Sequence, residues 1–343
     1  MSLVSALDGF QRRHPVVGYP LGVAYKYFDD QGGYLAALIA YYGFVSLFPL
    51  LVVFTTVLGI VLEHHQELKE QVIASTLDQI PVVGSQLADP AGLSGSTTTV
   101  IIGLIGAVYG GLGVAVAVQN AMNVAWTVPR NSRPNPIKVR LRGAVLLFTV
   151  GLTMIAMVAI NIIVASVDLG AAGSYVTEAG VILLGVGVFT FAFRFSTARP
   201  LSVRDVLPGA VLAAVGWQGL QHFGRVYVER VIIHSRDVTG VFAVVLGLVA
   251  FLYLAAVMLV LCVEINVVRV DRMYPRALLT EFTDNVRLTD GDEIAYARAA
   301  QAQRNKGFEV VTVEFDNPLE REVDAPDAPP AAKPIDPRDT PPL

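Results

Sequence analysis

Charged residues are scarce in this chain, and their scarcity excludes an ordinary soluble domain. Only 16% of the 343 residues are charged, 54% are hydrophobic, and the mean hydropathy is +0.56. Soluble globular domains carry about 25% charged residues. The composition therefore predicts an integral membrane protein. The net charge of −4 says little about its surface, because the acids concentrate outside the apolar runs.

Cysteine is almost absent as well. The single cysteine, Cys262, lies within an apolar run, which excludes an internal disulfide and any CxxC metal or redox site. The first 30 residues lack an apolar core of signal-peptide length, so we expect no cleaved signal and a retained first helix. Residues 1–30 are predicted to be a cytoplasmic or interfacial lead-in.

Long apolar runs are abundant, and six of them are long enough to cross a bilayer. A helix needs about 20 apolar residues to span a hydrocarbon core about 30 Å thick. We therefore predict an all-α, polytopic membrane helix bundle, with six transmembrane helices in a domain of residues 31–272. The predicted spans cover residues 35–62, 99–126, 143–167, 174–195, 206–228 and 238–268.

The segments outside the spans predict three further elements. After residue 62, apolar positions recur at helical spacing. This pattern predicts an amphipathic helix that lies on the outer face of the same membrane and ends at Pro81. Residues 273–316 are predicted to be a cytoplasmic segment, in which 281–315 can hold a short helix and a strand. Residues 317–343 are rich in proline and acids, which predicts a disordered tail.

The cations of the short loops predict the orientation of the bundle. Cytoplasmic loops of membrane proteins carry an excess of lysine and arginine. With the N-terminus inside, the inner segments hold fourteen such cations and the outer segments hold four. We therefore predict that both termini are cytoplasmic.

Four segments carry a resemblance to a known family. In chain order they are AALIAYYGFVSLFPLL, MNVAWTVPR, DVLPGAVLAAVGWQGL and FAVVLGLVAFLYLAAVMLVLCVEINVVR. Over residues Gly32 to Arg272 the chain resembles the YihY/BrkB family of bacterial inner-membrane proteins, also called virulence factor BrkB and formerly labelled ribonuclease BN. Its most specific parts are an aromatic–Ser–x–x–Pro element at Ser46 and Pro49, and a Glu–x–Asn element at Glu264 and Asn266.

The resemblance implies an inner-membrane protein linked to envelope integrity, with transport, including lipid transport, as its proposed activity. It supplies no established catalytic residue, so we assign none and predict no enzyme activity and no cofactor. A non-transporting membrane scaffold is the alternative. A ribonuclease is the least favoured reading, because a nuclease gathers acidic metal ligands and a basic surface. Cys262 departs from the family pattern, in which we expect a glycine.

Polar residues inside the predicted spans are candidates for a substrate path, because a polar side chain facing lipid is costly. Four of them fall at positions i, i+3, i+4 and i+7 of the fifth span, and this stripe either lines a cavity or protrudes outside the membrane. The full set of candidates is Ser46, Pro49, Asn120, Gln218, Gln221, His222, Arg225, Glu264 and Asn266.

The first span has a structural alternative to a path. Pro49 lacks an N–H group, so it should kink the helix and leave the carbonyl of Val45 under-satisfied. The hydroxyl of Ser46 can instead satisfy nearby backbone within a packed kink. The packed kink is favoured over the substrate path.

The other candidates also have structural alternatives. Glu264 can bind a proton or a cation, or it can pair with an inward arginine such as Arg194. Asn120 and its neighbours Gln119 and Asn123 lie near the end of a span, where interfacial solvation explains them.

Membrane lipids are the first predicted partners. Other envelope proteins are further candidates, as is a second copy of the chain through the GxxxG pair Gly106 and Gly110, which permits close helix approach. Helix packing, rather than close approach to a ligand, is the favoured use of these glycines, and no nucleic acid is expected. The adjacent His64 and His65 point in different directions on any helix and predict no metal site.

Overall fold

Helices account for the regular structure of the described part of the chain. A computed structural model describes residues 3–61, 97–166, 170–227, 238–278, 280 and 286–315. Among these residues there are nine α-helices and no strand. The helices are α1 (Leu3–Arg13), α2 (Pro15–Asp29), α3 (Gly32–Val61), α4 (Thr97–Ala125), α5 (Pro136–Ser166), α6 (Gly170–Ser196), α7 (Val203–Tyr227), α8 (Val238–Asp271) and α9 (Asp290–Ala302).

The all-α prediction is confirmed for these residues, and the six predicted spans fall on the long helices α3 to α8. Within the described residues, three segments are both long and apolar enough to cross a membrane: Ile101–Ala125, Glu178–Ser196 and Val245–Asp271. The apolar stretch of α3, Gly32–Leu47, is shorter. The count of six transmembrane helices stays a prediction.

The start of α5 differs from the predicted start of the third span. The helix begins at Pro136 rather than near Gly143. Proline suits the first helical position, and the side chain of Asn135 caps the helix by accepting a hydrogen bond from the Lys138 N–H at 2.8 Å. The cations Lys138 and Arg140, predicted as loop residues, therefore lie in the first turns of a helix.

The segments outside the bundle give a mixed result. The predicted outer helix ending at Pro81 and the predicted disordered tail of residues 317–343 both lie outside the described residues. The short helix predicted within 281–315 is present as α9, but residues 303–315 form no strand. A strand requires a paired neighbour, and none occurs in the described chain.

Small residues let α3 and α4 approach closely. A Cβ atom on Gly110 would lie 2.6 Å from Cα of Ser46, and one on Gly106 would lie 2.9 Å from Cγ of Pro49. Such distances are too short for a side chain, so glycine is required where these two helices touch. The GxxxG pair thus packs α4 on α3 within the chain, and association of two chains through it stays a prediction.

The largest buried apolar cluster forms where α4, α6, α7 and α8 meet. Its bulkiest members are Trp126, Phe193 and Met122, each 1% exposed. A second cluster, between α3, α4 and α8, is built from the small side chains of Ala36, Ala117, Ala121 and Ala256 together with Ile39 and Val260. The outer faces of the same helices carry exposed large apolar side chains, as expected of a bundle that faces lipid.

The two terminal segments of the described chain pack together around Arg276, whose side chain is fully buried. Its Nη1 lies 3.0 Å from Asp29 Oδ2, and its Nε donates to Asp292 Oδ1 at 2.5 Å. Nε2 of Gln11 donates to the Arg276 carbonyl at 2.5 Å. We call Arg276, Asp29 and Asp292 the terminal clamp. It joins three parts of the chain: α2, α9 and the segment that follows α8.

The loops predicted to be cytoplasmic lie at the same end of the molecule as the terminal clamp. Asn131, between α4 and α5, donates its backbone N–H to the carbonyl of Arg304 at 3.1 Å. Arg199, between α6 and α7, pairs with Asp271 at 3.1 Å, and Arg298 of α9 pairs with the same carboxylate. Which side of the membrane this end faces stays a prediction.

Candidate functional site

Three ionisable side chains meet in the interior between α2 and α8, and we call them the inner carboxyl cluster: Lys26, Asp30 and Glu264. Their side chains are 2%, 9% and 0% exposed. Nζ of Lys26 lies 3.8 Å from Oε2 of Glu264 and forms a close ion pair with Asp30. An ionisable group buried in an apolar bundle is costly and is a functional candidate by default.

Burial and neighbouring charges shift the titration of the groups on α2 and at its end. Burial raises the pKa of the Asp30 carboxyl above its ordinary value, and the ammonium of Lys26 offsets only part of this rise. Burial lowers the pKa of Lys26, but the carboxyls of Glu264 and Asp30 more than compensate, so its pKa lies above the ordinary value. Lys26 is therefore the cation of the cluster at neutral pH.

The prediction that Glu264 pairs with an arginine such as Arg194 is wrong. Arg194 is exposed, and its Nε donates to the carbonyl of Leu201 at 2.8 Å. The partner of Glu264 is Lys26, which lies in the predicted cytoplasmic or interfacial lead-in of residues 1–30. The spacing of Lys26 and Asp30 at i and i+4 on α2 was the available signal, because such a pair shares one helix face.

Asn266 fastens the start of α7 to α8. Its Oδ1 accepts the N–H of Gly209 at 2.8 Å, and its Nδ2 donates to the carbonyl of Val206 at 3.1 Å. Pro208 of α7 cannot donate to the carbonyl of Arg204, four residues earlier, and Nη2 of Arg269 donates to that carbonyl at 2.6 Å instead. Asn266 and Arg269 therefore satisfy backbone around the proline.

The polar residues near the end of α4 are held by protein rather than by interfacial water, which corrects the expected solvation. Gln119 is 2% exposed, and its Nε2 donates to the carbonyls of Ala115 and Val139 at 3.2 and 3.0 Å. Asn123 is 5% exposed, and its Oδ1 accepts the N–H of Ala198 at 2.8 Å. A helix terminus packed against the start of α5 and the loop after α6 has little contact with water.

Asn120 lies beside these residues and is half-buried. Its Oδ1 accepts a long hydrogen bond of 3.4 Å from Nη1 of Arg133. Partial burial lowers the pKa of Arg133, and the charge of Arg130 lowers it further. Asn120 thus contacts the cationic loop between α4 and α5, at the same end as the terminal clamp.

Ser46 takes the structural role that the sequence favoured. Its Oγ donates to the carbonyl of Gly43 at 2.9 Å, so the hydroxyl satisfies backbone within its own helix. Pro49 continues inside α3 and faces Gly106 of α4. Both residues lie at the contact between α3 and α4.

The stripe of α7 does not share one environment. Gln221 is 9% exposed and follows, at helical spacing, the fully buried Val206, Ala210 and Ala213. Gln218 is half-buried and His222 is exposed. Arg225 belongs to α7, but its side chain lies outside the description.

The nine candidates therefore divide into separate groups. Glu264 lies with Lys26 and Asp30 in the inner carboxyl cluster. Asn266, two residues later on α8, contacts α7 instead. Ser46 and Pro49 sit between α3 and α4. Within the part of the chain that the structure covers, no three His, Cys, Asp or Glu side chains are placed to hold a metal ion.

Comparison with known proteins gives two matches. Residues 23–282 match the family model described as virulence factor BrkB. The chain is also similar to the inner membrane protein YhjD of Escherichia coli (strain K12), with 24% identity over 274 residues, covering 73% of this chain and 80% of that protein. No solved structure gives a significant match.

Proposed function

Because this chain belongs to the virulence factor BrkB family of integral inner-membrane proteins, we propose that it is a transporter or lipid translocator that supports the integrity of the cell envelope. We further propose that its substrate passes along polar side chains between helices of the bundle. Both termini are cytoplasmic in this proposal, as the loop cations predict.

The observation that carries the proposal is the polarity of α7. This helix of 25 residues packs between α6 and α8 and, at about 1.5 Å per residue, is long enough to span a membrane. Its mean hydropathy is nevertheless too low for it to be counted among the three segments that are long and apolar enough to cross a membrane. Gln218 and Gln221 lie in its second half, and Gln221 is buried. Amides at this depth favour a polar path over a lipid-facing surface.

A lipid-flux measurement tests the polar path. Purified protein is reconstituted in liposomes that contain a fluorescent phospholipid, and movement between leaflets is followed with an impermeant quencher. We expect the double change Gln218→Leu and Gln221→Leu to slow movement, because it removes the polar lining and leaves the apolar packing. The matched control is Leu212→Ile with Val215→Ile, on the exposed face of the same helix.

The outcomes separate the parts of this proposal. Unchanged flux in the glutamine variant, at normal folded abundance, contradicts a path along α7. Wild-type liposomes that move no phospholipid faster than protein-free liposomes contradict a phospholipid substrate. In that case the same variants are compared in an envelope-permeability assay in cells.

A membrane scaffold is the second candidate, and one observation favours it. In residues 303–315, after α9, the side chains of Phe308 and Val310 are 88% and 86% exposed. Two apolar side chains displayed beside the terminal clamp suit contact with another protein. A scaffold predicts that Phe308→Ser with Val310→Ser impairs envelope function, whereas the glutamine variant of α7 does not.

Membrane lipids and other envelope proteins are the partners in these proposals, with the second copy through Gly106 and Gly110 as a further one. We propose no enzyme activity and no nucleic-acid partner. Metal-dependent cleavage of RNA by rigorously purified protein, abolished by one substitution, would overturn this part.

A further inference from the structure

The inner carboxyl cluster holds more acid than base. It contains the carboxyls of Asp30 and Glu264 and a single ammonium, that of Lys26, all of them withdrawn from water. With every group ionised, the cluster carries one uncompensated negative charge in the interior. A buried charge without a partner is strongly destabilising.

Among the residues that the structure describes, no second cation faces the cluster. Asp29, the next acid, is engaged with Arg276 of the terminal clamp. Burial raises the pKa of the Tyr27 phenol, so this neighbour of Glu264 supplies no positive charge. The α4 residues packed in this region, Ala117 and Ala121, carry no charge. None of these described neighbours therefore provides the missing positive charge.

Glu264 shows where the compensation is needed. Neither of its carboxyl oxygens receives a hydrogen bond from a donor in the described part of the chain, although the side chain is fully buried. Nζ of Lys26 lies closer to the Asp30 carboxylate than to the Glu264 carboxylate, so its main ion pair is with Asp30. The Asp30 and Glu264 carboxyls are close enough to interact by a hydrogen bond. Two carboxyls form such a bond only when one of them is protonated.

We propose that Asp30 and Glu264 bind one exchangeable proton between them, with the ammonium of Lys26 balancing the remaining carboxylate. The bound proton makes the cluster neutral and gives a buried oxygen of Glu264 its missing partner. The site does not depend on whether the protein transports a substrate. Loss of the proton leaves two carboxylates against one ammonium and weakens the contact between α2 and α8.

The expected pH dependence has a definite sign. The folded protein raises the pKa of Asp30, so it binds a proton at a pH at which the unfolded chain has released it. Stability therefore falls as pH rises from the ordinary carboxylate range through the raised pKa. The raised pKa of Lys26 acts in the same direction in alkaline buffer, where stability is lost as Lys26 deprotonates.

Infrared spectroscopy of the full-length protein in lipid nanodiscs tests the proposal. At neutral pH we expect a carbonyl band of a protonated carboxylic acid that shifts in D2O. The band disappears in Glu264→Gln. It also disappears in Asp30→Asn, because Glu264 and Lys26 then balance each other. The matched control is Glu178→Gln, an exposed carboxyl on α6, which leaves the band unchanged.

A third variant works in the opposite direction and protects the test from a folding failure of the first two. Lys26→Met removes the ammonium, so both carboxyls take a proton and the band grows. The midpoint of thermal unfolding provides the second readout. It falls with rising pH in the wild type, and in Glu264→Gln it depends on pH less steeply.

Three results overturn the proposal. The first is a wild-type protein without the band at neutral pH. The second is a band that persists in both Glu264→Gln and Asp30→Asn. The third is an unfolding midpoint that rises with sodium at constant ionic strength while the band is absent, because the cluster then holds a monovalent cation.

Discussion

Gly209 marks a very close approach of α7 to α8. A Cβ atom at this position would overlap the carbonyl oxygen of Cys262 and the side-chain amide of Asn266. The neighbouring atoms belong to a helix backbone and to a buried amide that is itself hydrogen-bonded, so they have little freedom to move. Glycine is therefore a steric requirement at this point, whatever its preference within helices.

We predict that Gly209→Ala destabilises the protein by about 1–3 kcal/mol, the usual range for overpacking a filled interior. The measurement is thermal or denaturant unfolding of the purified protein in detergent. Gly219→Ala on the same helix is the matched control, because no atom lies within 4 Å of its Cβ position. It should be neutral or stabilise by up to about 1 kcal/mol, since alanine is the better helix former. Equal effects of the two changes would contradict the close approach.

Arg276 gives a second prediction at this scale. Burial lowers the pKa of its guanidinium, but the carboxylates of Asp29 and Asp292 raise it by a larger amount. The pKa therefore lies above its ordinary value, and the group is permanently charged. Arg276→Met leaves two carboxylates of the terminal clamp without their cation and should destabilise the clamp by about 3–5 kcal/mol. Limited proteolysis between α8 and α9 is the measurement.

The control for Arg276 comes from the same segment. Arg287→Met changes an exposed side chain and should alter stability by less than about 0.5 kcal/mol. Arg276→Lys should rescue little, because an ammonium cannot reproduce the fork that reaches both Asp29 and Asp292. Full protection from protease in Arg276→Met would show that the clamp does not hold the segment.

The sequence located Glu264 but not its partners. A single acid at the end of a long apolar run is conspicuous in any sequence, so its selection needed no fold. Lys26 and Asp30 belong to a segment whose composition suits solvent, and only the return of α2 against α8 buries them. Such long-range pairing depends on tertiary packing, which local pattern does not encode.

At the scale of elements, the contact between α3 and α4 rests on the missing side chains of Gly106 and Gly110. We predict that Gly110→Ala lowers the yield of folded protein, because its Cβ would lie 2.6 Å from the backbone of Ser46 and would separate the helices. Fluorescence-detected gel filtration after mild heating measures this. Gly187→Ala on α6 is the control, because its Cβ would meet nothing within 4 Å.

An unaffected Gly110→Ala protein would mean that α3 and α4 can separate at little cost. Gly106→Ala offers a graded comparison. Its Cβ would lie 2.9 Å from Cγ of Pro49, which is side chain rather than backbone. We therefore expect a smaller loss of folded protein from Gly106→Ala than from Gly110→Ala.

Helix positions were predictable because apolar length is a local property of the sequence, while helix ends were less so. The Asn135 cap and Pro136 place the start of α5 ahead of the apolar run, and hydropathy alone does not detect a cap. The environment of the α7 stripe was not predictable either. Helical spacing put Gln218, Gln221 and His222 on one side, but neighbouring helices decide that Gln221 is buried and His222 exposed.

At the scale of the whole molecule, the contacts among terminal segments and loops predict a shared side of the membrane. Single cysteines are introduced at Ser132, Ser202 and Arg287, all exposed, in a Cys262→Ala background. We expect an impermeant maleimide to label none of the three in intact spheroplasts and all three after permeabilisation. Asp168→Cys, at a position that the cation count predicts to be outside, should be labelled without permeabilisation.

Disagreement among the three inner positions would contradict the common end that the structure describes. Agreement with the opposite sidedness would leave that end intact and reverse the predicted orientation. The two results are distinct because the contacts, such as Asn131 with Arg304, relate the segments to one another and not to the membrane.

The terminal clamp also fixes an order of events during synthesis. Asp29 and Arg276 lie 247 positions apart, and Asp292 is made later still. The ribosome therefore delivers α1 and α2 long before the residues that bury them exist. Asp29 lacks its partner in the terminal clamp until translation passes Arg276, and Arg276 lacks Asp292 until α9 is made. We therefore expect a chain that stops short of α9 to lack one of the two carboxylates of the terminal clamp, and to expose its N-terminal helices to protease more than the full chain does.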